Sequence, residues 1–291
     1  MALLALAVSF ALAEGFTGRS ASAQPLRSGA SPFDAQRAFA DLRFQVALGP
    51  RRAGSPANRR LGDWLRTRLP GGRFEAVPGG LRNVVYTLPG TRPALVIGAH
   101  YDTDDIPGFV GANDGASGTA TLLELLRDLH RSRPRTGPEL RFVFFDGEEK
   151  PASSNDFPRD GIRGSRAYVR AHHDLLGAMI LLDFVGNRGL RLPREAMSSP
   201  LLWSDLRAAA RLAGELATFP DRVTGSVLDD HTPFLDAGIP AIDLIDFSYR
   251  YYDRVTDTLD KVTPASLNAT GRTVLELLTR GPLPAALVHT R

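Results

Sequence analysis

Four apolar runs of strand length punctuate this chain: "ALVIGAH" (94–100), "ELRFVFF" (139–145), "AMILLDF" (178–184) and "PAIDLID" (240–246). None shows the strict polar–apolar alternation of a sheet with one wet face, so each reads as a strand covered on both sides. The stretches between them are helical. "ASGTATLLELLRDLHR" carries Leu122, Leu123, Leu125, Leu126 and Leu129 as its apolar set, and "PLLWSDLRAAARLAGELA" also reads as a helix. Buried strands alternating with amphipathic helices specify an α/β chain, because parallel strands need such crossovers. The expected fold is a single-domain, three-layer α/β/α architecture around a mixed, mostly parallel central sheet.

The flanking segments fit this scheme. Asp34 can cap a helix running to about Leu48, with Phe39, Leu42 and Val46 on one face. Ser55-Pro56 starts a second helix that should end near Leu69, before "PGG". "RFEAV" and "NVVYTL" add two strands, "SRAYVRAHH" and "HTPFLDAG" two short helices, and "PASLNATGRTVLELLTR" a last helix. Residues 150–163 are rich in Pro, Ser and Asp and read as a loop that shapes one wall of a pocket or lies free on the surface. No repeat and no second domain is visible. With 291 residues, 43% of them hydrophobic and 23% charged, the chain can bury a sizeable core and is not disordered. Only Lys150 and Lys261 are lysines, the arginines are scattered, and the net charge is +3, which excludes a basic stripe for nucleic acid.

Residues 2–13, "ALLALAVSFALA", are apolar but about half the length that spans a bilayer. Ala21 and Ala23 follow as an A-x-A cleavage signal. The expected organisation is a signal peptide over 1–23, a linker over 24–33 and one domain over 34–291, giving a secreted or extracytoplasmic, monomeric protein free of the membrane once cleaved. With no cysteine there are no disulfides, so the core, with or without a metal, must hold the fold.

Ligands in parallel sheets bind at the carboxyl ends of the strands. There the sequence places His100-Tyr101-Asp102, Asp146 to Glu149, Asp183, and Asp246 leading to Asp253. Singly, each has a plain explanation. Asp114 in "GANDGASG" can cap a helix, His100 can be a core histidine, and the Glu148–Glu149 pair can be a solvated edge. Asp183 resists this, because it follows a buried run and a buried carboxylate needs a partner. Together the residues say more. Adjacent carboxylates repel, and a bound cation resolves the conflict. His100-x-Asp102 supplies an imidazole with a carboxylate to orient it. One glutamate can bind the ion while the other moves protons as general acid and base.

"GAHYDT", "GANDGASG", "FFDGEE", "LLDFVG" and "DDHTPFLDAGIP", in this order and spacing, resemble metallopeptidase family twenty-eight, the zinc aminopeptidases, whose close relatives are the glutaminyl-peptide cyclotransferases. The resemblance spans about residues 34–280 and implies a zinc-exopeptidase, phosphorylase/hydrolase-like fold. "FVFFDGEE", "LLDFVG" and "DDHTPFL" look more like the cyclases. In that reading the resemblance implies one Zn²⁺ held by Asp114, Glu149 and Asp253, with Glu148 as the catalytic proton carrier and Asp183 and Asp230 as catalytic supporting groups. Tyr252 and His231 then belong to the substrate pocket. N-terminal glutamine of peptides or proteins would be converted to pyroglutamate with loss of ammonia. In the aminopeptidase reading Asp114 bridges two zinc ions, and His100, Asp102 and Asp183 build the second site or its surroundings. The chain departs from the pattern twice. Asp253, in "YYDRVTDTLDKV", stands where the family's last zinc ligand is a histidine, and Asp243 stands where the cyclases have another. A third carboxylate weakens Lewis acidity and favours harder ions such as Mn²⁺, Mg²⁺ or Ca²⁺. A different metal, or a catalytically silent peptide-binding protein, therefore stays open at this point.

Overall fold

The computed structural model describes residues 33–132 and 137–279. The expected signal peptide and nearly all of the expected linker lie outside the described residues. Fourteen helices and strands follow one another as α1 (Ala35–Ala47), α2 (Pro56–Arg66), β1 (Arg73–Val77), β2 (Leu81–Leu88), β3 (Thr91–His100), α3 (Ala116–Ser132), β4 (Pro138–Phe145), α4 (Phe157–Asp160), α5 (Arg163–His172), β5 (Leu176–Leu182), α6 (Pro200–Ala213), α7 (Thr232–Asp236), β6 (Ala241–Leu244) and α8 (Pro264–Thr279).

The helix starts follow from capping chemistry. Asp34 accepts a hydrogen bond from the Arg37 amide at 2.9 Å, and Ser55 accepts from Asn58 at 3.2 Å with Pro56 next in sequence. Ser199 repeats the arrangement before Pro200 of α6.

The six strands form one sheet in the order β1-β2-β4-β3-β5-β6. The pairs β4–β3, β3–β5 and β5–β6 are parallel; β1–β2 and β2–β4 are antiparallel. Alternate side chains of β3 enter separate cores. Leu95, Ile97 and Ala99 pack with α1, α2, α3, α6 and α8 on one face, while Ala94 and Val96 pack with Tyr168 of α5 and Phe234 of α7 on the other. That is the mixed, three-layer arrangement read from the sequence. Gly118 brings α3 against β5: a Cβ there would lie 2.0 Å from the Leu182 carbonyl oxygen. No helix of the described residues is long and apolar enough to cross a membrane.

Three boundaries differ from the sequence reading. α2 stops at Arg66, before Leu69. β3 begins at Thr91, because Thr91 pairs with Pro138 across a register irregularity that carries the ladder beyond its apolar part. Residues 157–160 form a short helix inside the expected loop, started by Asp156 accepting from the Arg159 amide.

Candidate metal centre and active site

The polar groups gather at the carboxyl ends of β3, β4, β5 and β6, where a parallel sheet opens a crevice. Gly115 makes the turn into α3 at φ +75, and a Cβ there would press on the Asp102 carbonyl at 2.6 Å and the His100 ring at 3.1 Å. The loop so formed presents Asp114. Asp257 grips that loop from the far end of the chain: its carboxylate accepts the Asn113 and Asp114 amides at 3.0 Å and the Tyr249 hydroxyl at 2.6 Å. Arg51 is fully buried and braces the segment leading into that loop, donating to the Val110 and Gly111 carbonyls at 2.8 and 3.1 Å. Burial pulls its guanidinium down to about 10, against the opposing pull of Asp114, Asp257 and Asp102.

One donor atom each from His100, Asp114 and Glu149 lies within 4.8 Å of the others, and all three residues are buried. His100 Nε2 is 3.2 Å from Asp114 Oδ1 and 3.4 Å from Asp183 Oδ1, while Nδ1 is 3.7 Å from Asp102 Oδ1. Asp102 in turn accepts the Glu148 and Glu149 amides at 3.2 and 3.1 Å, so it ties the imidazole to the glutamate pair. Neither ring nitrogen of His100 has a hydrogen-bond partner. A buried imidazole with unpartnered nitrogens beside carboxylates is a donor set that suits a divalent transition-metal ion.

The electrostatics carry the same strain. Burial, followed by Glu149, pushes the Glu148 carboxyl well above the carboxylate range; burial and Asp114 do the same to Glu149. Burial lifts Asp114 to about 6 and also raises Asp183. For His100, burial opposes the charged ring, but Asp102, Asp114 and Asp183 outweigh it and hold the imidazole well above its usual value. Such concentrated perturbation marks a functional site.

A cavity of about 300 Å³ opens over this floor. Asp114, Glu148, Glu149, Asp183, Tyr252 and Asp253 all line it, as do Asp104, Lys150 and Phe157 of α4. The loop 150–163 therefore does form part of one wall. Phe184, Phe247 and Tyr252 make an aromatic rim: Phe184 and Phe247 stack at 6.3 Å, and Phe247 and Tyr252 meet at 5.0 Å. Phe247 and Tyr252 remain 49% and 42% exposed, so this rim is open to an incoming ligand. Phe184 and Asp253 both hold left-handed backbone, φ 46 and 50, at the cavity wall.

The predicted residues do not all occupy one shell. Asp253 faces the cavity but stands outside the three-donor group that holds His100. Asp230 is fully buried behind the wall, and its neighbour Asp229 is the one that lines the cavity. His231, expected in the substrate pocket, does not line it. The residue sits at the start of α7, and its ring is fully buried, facing Glu195 and Asp243. Sequence reading passed over Asp257, Arg51, Glu195 and Asp229. Asp257, in "DTLDKV", and Asp229, in "DDH", lay inside quoted motifs, but nothing local marks a carboxylate as the clamp of a loop 143 residues away.

The chain is similar to known proteins. The chain is 29% identical over 273 residues to a glutaminyl-peptide cyclotransferase of Bothrops jararaca, covering 74% of each protein. A glutaminyl-peptide cyclotransferase-like protein of Bos taurus is 32% identical over 241 residues, covering 67% of this chain and 62% of that one. Among solved structures, an Acidobacteriales bacterium glutaminyl cyclase superposes with a TM-score of 0.76 at 32% identity, covering 88% of this chain and 97% of that one. A leucine aminopeptidase precursor of Bacteroides thetaiotaomicron matches with a TM-score of 0.76 at 26% identity, covering 86% and 98%. The model of Peptidase family M28 matches residues 83–278, more than half of the chain, and to that family the chain belongs.

Proposed function

We propose that this protein is a metal-dependent glutaminyl-peptide cyclotransferase acting on the N-terminal glutamine of peptides. The observation that carries the reading is Glu148. It is a buried carboxyl with a strongly raised pKa, set beside a His/Asp/Glu donor group on the floor of the cavity. Likeness to glutaminyl cyclases across most of the chain supports it.

Asp114 and Glu149 would hold a single zinc ion, completed by Asp253 across the cavity. His100 competes for that place by its proximity. When bound, the ion supplies a Lewis acid that polarises the side-chain amide carbonyl. The residues of the chain do the rest. The cavity confines α-amine and side-chain amide together, which converts ring closure into a proximity-assisted step. The amine nitrogen bonds to the amide carbon, the carbon–nitrogen bond to the leaving group breaks, and ammonia departs. Glu148 takes the proton from the amine and delivers it to the departing nitrogen. Asp230, lifted well above its usual value by burial and by Asp229, can stay protonated and donate a hydrogen bond; Asp183 stands by His100. The aromatic rim receives the peptide beyond its first residue. Export after loss of residues 1–23, and action as a monomer, complete the proposal.

An aminopeptidase of the same fold is the second reading. It is favoured by His100 Nε2, which faces both Asp114 and Asp183 as a second-metal ligand would. Incubation of the metal-loaded protein with a glutamine-initiated peptide separates the two. Loss of one ammonia by mass supports cyclisation. Loss of a whole residue favours the peptidase, and an unchanged peptide overturns both.

A further inference from the structure

Beside the cavity, with Asp229 reaching its wall, lies a second group of donors. One donor atom each from Asp229, His231 and Asp243 lies within 4.8 Å of the others, and all three residues are buried. We propose that Asp229, His231 and Asp243 hold a second divalent cation of the zinc class. This site does not depend on which reaction the cavity performs.

The geometry of His231 carries the argument. Its Nε2 faces Glu195 Oε2 at 3.3 Å, and its Nδ1 faces Asp243 Oδ2 at 3.9 Å. Glu195 is itself firmly held. Its carboxylate accepts the amides of Met197, Ser198 and Val227 at 2.9, 2.8 and 3.1 Å, and the Ser198 hydroxyl at 3.0 Å. With Nε2 towards this fixed carboxylate, the ring turns Nδ1 towards Asp243. Carboxylate, imidazole and metal in line is the arrangement that orients histidine ligands in metal sites.

The distances favour an ion over a shared proton. A gap of 3.9 Å is too long for a hydrogen bond. Two donors about 2.0–2.2 Å from one tetrahedral ion stand roughly 3.3–3.5 Å apart, so a small closure would seat it. The remaining donors are equally unsatisfied. Both ring nitrogens of His231, both carboxylate oxygens of Asp243 and Oδ2 of Asp229 are buried without a hydrogen-bond partner. Among the described residues, no arginine or lysine forms an ion pair with any of the three. Two buried carboxylates with no counter-cation are costly, and a divalent ion would neutralise both. Entry is open, since Asp229 lines the cavity from which an ion would arrive.

The test counts and locates ions in the full chain after equilibration with zinc and removal of the unbound metal. With the single ion of the cyclotransferase reading in the cavity, elemental analysis should find two zinc ions per chain in the unmodified protein. It should find one in Asp243→Asn, which keeps the shape of the side chain and removes its charge, and one in Asp114→Asn, which disables the other centre. Anomalous diffraction at the zinc edge should place a peak between Asp229, His231 and Asp243 in both the unmodified protein and Asp114→Asn. As much zinc in Asp243→Asn as in the unmodified protein would overturn the proposal. So would the absence of that peak in the unmodified protein, which decides the matter even where a variant does not fold.

Discussion

Glu148 and Glu149 are neighbours in sequence, yet they face different surroundings. Glu149 joins His100 and Asp114, whereas Glu148 feels Asp229 and Asp230 across the cavity. The proposed division of labour follows: one holds metal, the other holds a proton. Glu148→Gln is expected to lower the cyclisation kcat by about 10²–10⁴-fold while leaving the metal in place, checked by ammonia release alongside elemental analysis. Full activity in that variant would remove Glu148 as the proton carrier. Asp257 acts at one remove, by holding the Asn113 and Asp114 amides. Asp257→Asn should weaken metal affinity by roughly 10–100-fold with the helix content unchanged, measured by metal titration and circular dichroism. The acidic side chains at strand ends were legible because residue type and position relative to an apolar run are local facts. Which of them converge was not. Asp253 and His100 are both eligible donors, and only their three-dimensional placement ranks His100 beside Asp114.

At the scale of elements, the site depends on how closely α3 lies against the sheet. The helix follows the loop that bears Asp114, and Gly118 lets its first turn meet the carbonyl of Leu182, one residue before Asp183. Gly118→Ala should therefore destabilise the protein by about 1–3 kcal/mol, as overpacking does, and displace both aspartates; urea unfolding gives the first quantity and metal affinity reports the second. An unchanged unfolding midpoint would show that the helix can move away freely. Capping residues and apolar periodicity made α1, α2, α6 and the strands readable. The short α4 was not readable: four residues have no periodicity, and its Asp156 cap is indistinguishable in sequence from a loop aspartate.

For the molecule as a whole, the accumulated buried acid sets a pH dependence. Burial raises Asp114 and Asp229 from 3.8 to about 6, and lifts Glu148, Glu149, Asp230 and Asp243 well above the usual carboxylate range. A carboxyl whose pKa is higher folded than unfolded binds its proton more readily in the folded chain. Its contribution is complete below the unfolded value, near 4, and is lost as the pH rises through about 6 and beyond. His100, held above its usual value, changes in the same direction, and Glu195 opposes them. The metal-free protein should thus melt lower at pH 8 than at pH 5, by roughly 5 °C or more, and added zinc should flatten the difference. Calorimetry of the chelated and reloaded protein checks this; a metal-free melting temperature that climbs with pH across this interval would contradict the assigned protonation.

The sequence by itself determined the architecture, because burial on both faces, helical periodicity and end-capping are properties of contiguous residues. It also determined that acidic groups would meet at one rim, since strand direction in a parallel sheet sends every carboxyl end to the same side. Tertiary structure alone decided the roles within that crowd. It buried His231 against Glu195 and Asp243 away from the cavity, turned Asp229 rather than Asp230 towards it, and made Asp257 the clamp of the Asp114 loop. These are contacts between segments a dozen to more than a hundred residues apart, and their distances are fixed by packing that no local pattern encodes.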